Sequence, residues 1–339
     1  HVTGVQTCAL PISRLTAPEV KRTDEMEAFF QWSNAEDKAM GMPDLNLVSV
    51  PEMRAWRARG SVRTNANPPK VEDIERVLVP GFNGGPPVIA DLITPLDAEP
   101  GATLFIHGGG WVFGDIGTHS RLARMLAVET KKRTLYIDYR LAPEYKYPAA
   151  LDDSIAAWRW IAQKAETDPN YKGCLAVSGD SAGGNLSLAT ILHEQAAGRR
   201  APDIGLLFYG VYDDDFDTPS YKRFALGHGL ARPGMIKFFE AYAPAPAGTR
   251  RQDPLICPVR ATDAQLKKLP PLYLNASGMD PIMCDTVAMA KRLEEAGATY
   301  EVNIHEGLHH GFMQQTAKLA ESRRAFELMG AFYRKHERK

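Results

Sequence analysis

The sequence predicts an α/β fold, with a mostly parallel central sheet flanked by helices. Three observations carry that prediction. After about Lys70, short apolar runs of strand type alternate with helix-length amphipathic stretches, the pattern of βαβ units covered on both faces. One of the runs, Ala102–Ile106, leads straight into His107-Gly108-Gly109-Gly110-Trp111. Another, Cys174–Ser178, leads into Gly179-Asp180-Ser181-Ala182-Gly183, a G-x-S-x-G run that sets a serine on a sharp turn between strand and helix.

Taken in order, the elements begin with a helix opened by Pro18 and Glu19 and running to about Met40, with Met26, Phe29 and Phe30 along one side. A shorter helix spans Pro51 to Arg59 and is expected to stop at Gly60. The stretch Asn65–Pro69 reads as a boundary loop. Strands follow over Glu75–Val79 and Val88–Thr94, joined by a Gly- and Pro-rich turn, and then Ala102–Ile106. Next come a helix over His119–Thr130, a strand at Thr134–Asp138, a helix over Ala149–Lys164 and the strand Cys174–Ser178. Helix Ala182–Ala197 and strand Ile204–Phe208 complete this block. Regularity breaks between Tyr212 and about Pro254, which reads as an inserted helical excursion. The alternation resumes with strand Leu272–Ala276, helix Thr286–Ala296, strand Tyr300–His305 and a last helix over Thr316–Arg334.

Composition narrows the function classes. With 339 residues, 44% hydrophobic content and a net charge of −1, the chain has ample material for a core. It lacks the basic stripe that nucleic acid would require, and no apolar stretch is long enough to span a bilayer. Its 4 cysteines (Cys8, Cys174, Cys257 and Cys284) form no CxxC pair, so neither a metal site nor a disulfide framework is expected, and a cytoplasmic setting fits best. Residues 1–12 lack the basic start and continuous apolar core of a signal peptide. They read as translated sequencing-adapter sequence joined in frame to environmental DNA, and are set aside from the fold.

The chemistry-bearing residues follow from the two glycine-containing runs. Ser181 is the nucleophile candidate, flanked by Gly179 and Gly183 because strand and helix pack closest there. The backbone N–H groups of Gly108, Gly109 and Ala182 are candidates for an oxyanion hole, the donor set that acyl transfer most needs. A phosphate cradle would instead require a P-loop lysine or a full GxGxxG, and neither is present. A general base is expected after the last strand, where His305, His309 and His310 all fall. Trp111 and Phe113 near the glycine loop, with Tyr212 and Phe216, are the first candidates for lining a substrate pocket, and Phe29, Phe30, Trp32, Tyr221, Phe224 and Phe238 are further ones.

These motifs, together with Tyr139–Glu144 (YRLAPE), Tyr147–Ala150, Asp152-Asp153, Gly278–Ile282 (GMDPI) and His310-Gly311-Phe312, resemble the hormone-sensitive-lipase-like carboxylesterases, bacterial family IV of the α/β-hydrolases. The resemblance covers about Val71 to Arg334. It implies a Ser181–Asp280–His310 triad, with His309 a loop or surface neighbour and His305 ending the preceding strand. Asp285 competes with Asp280 for the acid, but its place before the Thr286 helix suits an N-cap. The resemblance also implies a helical cap built from residues 13–70 and an insertion at about 212–254, both set on a catalytic domain of residues 71–339. Short- to medium-chain acyl esters are the implied substrates, with no cofactor or metal and with pairing of two copies through the last strand and helix. The Tyr139–Glu144 run is implied to support the loop behind the oxyanion hole. The triad alone leaves an amidase, lactonase or peptidase open, and a non-catalytic binding member is the further alternative. A neutral base requires activity to fall as pH drops through roughly 6–7.

Overall fold

Eight strands form one sheet: β1 (Asp73–Val79), β2 (Val88–Thr94), β3 (Glu99–Ile106), β4 (Lys132–Asp138), β5 (Leu175–Asp180), β6 (Ile204–Phe208), β7 (Leu272–Met279) and β8 (Tyr300–His309). They pair in the order β1-β2-β4-β3-β5-β6-β7-β8. β2 runs antiparallel to both β1 and β4, and every other pairing is parallel. The computed structural model of the chain describes residues 20–45, 47–246 and 248–338. The expected adapter segment 1–12 and Pro18 and Glu19 lie outside the described residues, and the opening helix starts only at Asp24, where the Thr23 hydroxyl caps it, later than expected.

Alternation along the strands divides the core. Leu104, Ile106, Leu135 and Ile137 point to the face covered by α4 (Ala149–Thr167), α5 (Ala182–Ala196) and α9 (Met283–Ala296). Phe105, Tyr136 and Phe208 point the other way, against α3 (Ser120–Thr130) and α10 (Ala320–His336). Because both faces are covered, β5 and β6 are buried along their whole length. That is why their sequences read as continuous apolar runs.

Strand order also places the site. From β3 the chain moves outward to β4, then returns to the other side of β3 as β5. The carboxyl ends of β3 and β5 therefore flank the point where the winding reverses, where open α/β sheets leave a crevice. The HGGGW loop leaves β3 at this crevice, and the serine turn leaves β5 beside it. The turn tolerates no Cβ, since one on Gly183 would overlap the Ile106 carbonyl oxygen and one on Gly179 the Gly183 carbonyl.

Before the sheet, α1 (Asp24–Ala39) is capped by the Thr23 hydroxyl, and α2 (Val50–Thr64) by a Ser49–Glu52 capping box. The sequence places the end of α2 at Gly60, but the helix continues to Thr64. A glycine ends a helix where it turns left-handed, and Gly60 keeps helical backbone here. The segment from Tyr212 to Pro254 carries α6 (Pro219–Arg223) and α7 (Arg232–Tyr242), and the short α8 (Asp263–Leu266) precedes β7. β8 reaches His309, beyond the expected end at His305, and no helix among the described residues is long and apolar enough to cross a membrane.

Candidate active site

Ser181 sits between β5 and α5 with φ 56° and ψ −119°, a conformation that costs a non-glycine residue roughly 1–3 kcal/mol. The backbone is held there by its N–H donating to Phe208 O at 2.8 Å and by its carbonyl accepting from Val211 N at 3.3 Å. From the ends of β7 and β8 come Asp280 and His310. His310 Nε2 lies 3.0 Å from Ser181 Oγ, and His310 Nδ1 lies 2.7 Å from Asp280 Oδ2. A carboxylate only accepts, so Nδ1 carries the proton in that contact and Nε2 is left as the acceptor facing the serine. Asp280 is fully buried, and its second oxygen accepts from Ile282 N at 3.0 Å. Such an arrangement can remove the hydroxyl proton while the imidazole is held in one tautomer.

One of the three expected oxyanion donors is committed elsewhere. The Gly108 N–H donates to Asp180 Oδ1 at 2.9 Å, so Gly108 is not an available donor. Gly109 and Gly110 come next on the chain, with φ values of 115° and 58°, and both line the cavity beside Ser181. Their N–H groups and that of Ala182 meet no acceptor among the described residues. Sequence reasoning missed Gly110, although the third glycine of the run was the available signal.

It also missed Asp180, which fastens the glycine loop to the serine turn. Burial raises this carboxyl's proton affinity, but His119, the Gly108 N–H and His107 together outweigh burial and hold it below the usual carboxylate value. Its other oxygen lies 3.3 Å from Gln314 Nε2 and 3.5 Å from His119 Nε2. Behind the loop, His107 stacks on Tyr139 at 4.3 Å, and burial pushes its pKa down to about 4. The Tyr139 hydroxyl donates to His107 O at 2.9 Å, Ala142 N donates to Trp111 O at 2.8 Å, and Arg54 links Glu144 to the Val112 carbonyl. The YRLAPE run thus braces the glycine loop from behind, as the resemblance implies.

His309 is not a surface neighbour. It ends β8 with 3% exposure, accepts from Arg22 Nε at 2.7 Å and lies 3.3 Å from His228 Nδ1. Burial, with His228 and Arg22 adding to it, pushes its pKa down to about 3. Asp285 is not an N-cap either. It lies inside α9, buried, and accepts from Tyr212 N and Asp213 N at 3.0 Å each, and burial drives its carboxyl well above the usual range. Asp213, Asp214 and Cys257 lie close enough together to share an ion, but Arg250, Arg251 and Arg260 already supply the countercharge.

A cavity of about 610 Å³ opens over Ser181, walled by α1, α2, the loop at 226–231 and α7. Of the expected pocket aromatics Phe113, Phe29, Phe30, Trp32 and Phe238 line it, and Trp111, Tyr212, Phe216, Tyr221 and Phe224 do not. Trp111 is fully buried, stacked on Tyr242 at 4.5 Å and 5°. Tyr212 is buried in the core below, and Phe216 packs edge-on against Tyr221 and Phe239. Trp56 lines the cavity as well. A pocket aromatic and a core aromatic share the same helical spacing, so periodicity does not separate them.

Residues 103–314 match the family described by the α/β hydrolase fold. The chain belongs to the α/β-hydrolase family. Within it the chain falls in the hormone-sensitive-lipase-like branch and is a carboxylic-ester hydrolase. An ethyl acetate hydrolase of Pseudomonas putida is 37% identical over 65% of this chain and 69% of its own. Carboxylesterase NlhH of Mycobacterium tuberculosis is 33% identical over 67% of this chain and 69% of its own. Among solved structures, a thermostable esterase from Pseudomonas putida ECU1011 superposes with TM-score 0.84 at 29% identity, covering 94% of this chain and 98% of that one. The ester-hydrolase EH1AB1 from the metagenome of Lake Arreo gives 0.83 at 31%, covering 93% and 99%.

Proposed function

We propose that this carboxylic-ester hydrolase cleaves short- to medium-chain acyl esters by two-step acyl transfer through Ser181. His310 takes the hydroxyl proton as Oγ attacks the ester carbonyl, and Asp280 holds the ring and stabilises the imidazolium. The oxyanion is received by the N–H groups of Gly109, Gly110 and Ala182. His310 then gives its proton to the departing alcohol. Water, activated by the same imidazole, attacks the acyl-enzyme and releases the acid.

The observation that carries this reading is the unbroken contact from Asp280 through His310 to Ser181, at 2.7 and 3.0 Å, in a cavity that Gly109 and Gly110 also line. Chain length rests on the cavity, whose volume of about 610 Å³ lies within the usual range for small-molecule sites. The relative named for ethyl acetate points to the same end of the scale. In this reading α1, α2 and the segment around α7 form the cap that closes the acyl pocket over the catalytic domain.

The test is a p-nitrophenyl ester series from acetate to palmitate, with butyryl p-nitroanilide as the matched amide. Rates should peak between acetate and octanoate, the anilide should be far slower, and Ser181→Ala should abolish turnover. Turnover persisting in Ser181→Ala, or palmitate outrunning butyrate, would overturn the proposal. Equal rates on ester and anilide would reassign it to amide hydrolysis.

A further inference from the structure

We propose that Arg57 makes the cavity selective for esters that carry a carboxylate a short chain away from the scissile carbonyl. This deepens the acyl-transfer reading and rests on it. Met53, Trp56, Arg57, Gly60, Ser61 and Thr64 recur at three- and four-residue spacing along α2, and all line the cavity that holds Ser181. The inner face of this helix therefore presents Arg57 to the cavity, with Arg63 also on its wall.

Of the other three arginines of this helix, Arg59 lies over the Trp56 ring and the remaining two are ion-paired. Arg54 pairs with Glu144 at 2.7 Å and Arg63 with Asp37 at 2.5 Å. Arg57 has no hydrogen-bond or ion-pair partner among the described residues, and its one specific contact is the Phe113 ring, whose centroid lies 5.0 Å from Cζ. The side chain is exposed along the cavity that it lines. A guanidinium offers a planar fork of donors that a carboxylate fills with two parallel bonds, and this pairing strengthens as water is excluded.

Phe113 also fixes where such a carboxylate would lie. Phe113 N donates to Gly109 O at 3.0 Å, and the ring edge passes 3.1 Å from the point where a Cβ on Gly109 would stand. One aromatic ring thus separates the oxyanion glycines from the guanidinium. An ester held at the glycines could run its alkyl chain across that ring to reach Arg57. Hemiesters of short dicarboxylic acids are the acyl-side substrates of this kind, and esters of an alcohol bearing an acid group are those of the alcohol side. The other charges on the cavity wall are Asp37 with its partner Arg63, Asp44 and Lys237, with Asp180 at its base already bonded to Gly108.

Two substrate pairs test the proposal and show which side carries the acid. p-Nitrophenyl hydrogen adipate against p-nitrophenyl hexanoate probes the acyl side. 4-Carboxyphenyl butyrate against phenyl butyrate probes the alcohol side. The quantity read is the ratio of kcat/KM, anionic over neutral, within each variant. For at least one pair the ratio should fall about tenfold in Arg57→Gln, fall further in Arg57→Glu and recover partly in Arg57→Lys. In the wild type, added salt should lower that ratio, and free adipate should inhibit more weakly as salt rises. Ratios that stay the same across wild type, Arg57→Gln and Arg57→Glu for both pairs would overturn the proposal and leave Arg57 a solvated cation. A wild type that turns over none of the four esters would overturn the acyl-transfer reading itself.

Discussion

Replacing Asp180 by Asn tests whether the oxyanion loop is held by the serine turn. The carboxylate is 1% exposed and accepts the Gly108 N–H at 2.9 Å, immediately before the two glycines that line the cavity with Ser181. A hydrogen bond to a buried charged acceptor contributes about 1.5–3 kcal/mol, and a neutral amide recovers about half of that. Asn also turns an NH2 group toward either the Gly108 N–H or Gln314 Nε2, both of them donors. The net loss is then about 1–2 kcal/mol in the placement of the loop, or roughly 5- to 30-fold in rate. Because the glycines matter most once the oxyanion forms, the loss should appear in kcat with KM nearly unchanged. Steady-state kinetics on p-nitrophenyl butyrate measure the split. Affinity for a boronate transition-state analogue should fall in parallel, while affinity for a ground-state ketone should not. A folded Asp180→Asn enzyme with kcat within about twofold of wild type would refute the positioning role.

Other perturbations probe the core and the buried histidines. Trp111→Ala should lower unfolding free energy by about 3–5 kcal/mol, because it empties a fully buried stack on Tyr242, and a chemical denaturation curve of unchanged midpoint would contradict that. Gly183→Ala should yield little folded protein, since the new Cβ meets the backbone carbonyl of Ile106, which has no side-chain freedom to give way, and a soluble variant with native melting temperature would refute it. His107 and His309 titrate near 6.5 when the chain is unfolded but only at about 4 and about 3 in the folded protein. The unfolded state therefore binds more protons in this window, and stability present above about pH 6.5 should be lost as pH falls toward 4 and below. Urea midpoints between pH 7 and 4.5 should decline, less steeply in His309→Gln. Identical slopes in both proteins would rule out that contribution from His309.

Sequence information was richest where it was local. The strand-to-loop junctions at Ile106 and Ser178 could be read directly, because apolar alternation and the glycines act over a few residues. Helix α2 showed the limit of this, since Gly60 stops a helix only if its backbone turns left-handed, and nothing in the sequence reports that. The Gly108 N–H was misassigned because its acceptor, Asp180, lies 72 positions away. His309 looked like a surface residue because Arg22 reaches it across 287 positions. Trp111 and Phe113 stand two apart on one loop, yet one points into the core and the other into the cavity. Their direction is set by Tyr242 and Phe238 on a distant helix, which no local pattern encodes.

The most direct measurement is intact-mass analysis after exposure to an aryl phosphonate ester, followed by peptide mapping and run beside residual activity. A single phosphonyl adduct on the peptide containing Ser181, growing in step with the loss of ester hydrolysis and missing from Ser181→Ala, is the result expected. Undiminished hydrolysis by a fully labelled protein, or inactivation with the adduct on a different side chain, would contradict the chemistry assigned to this serine.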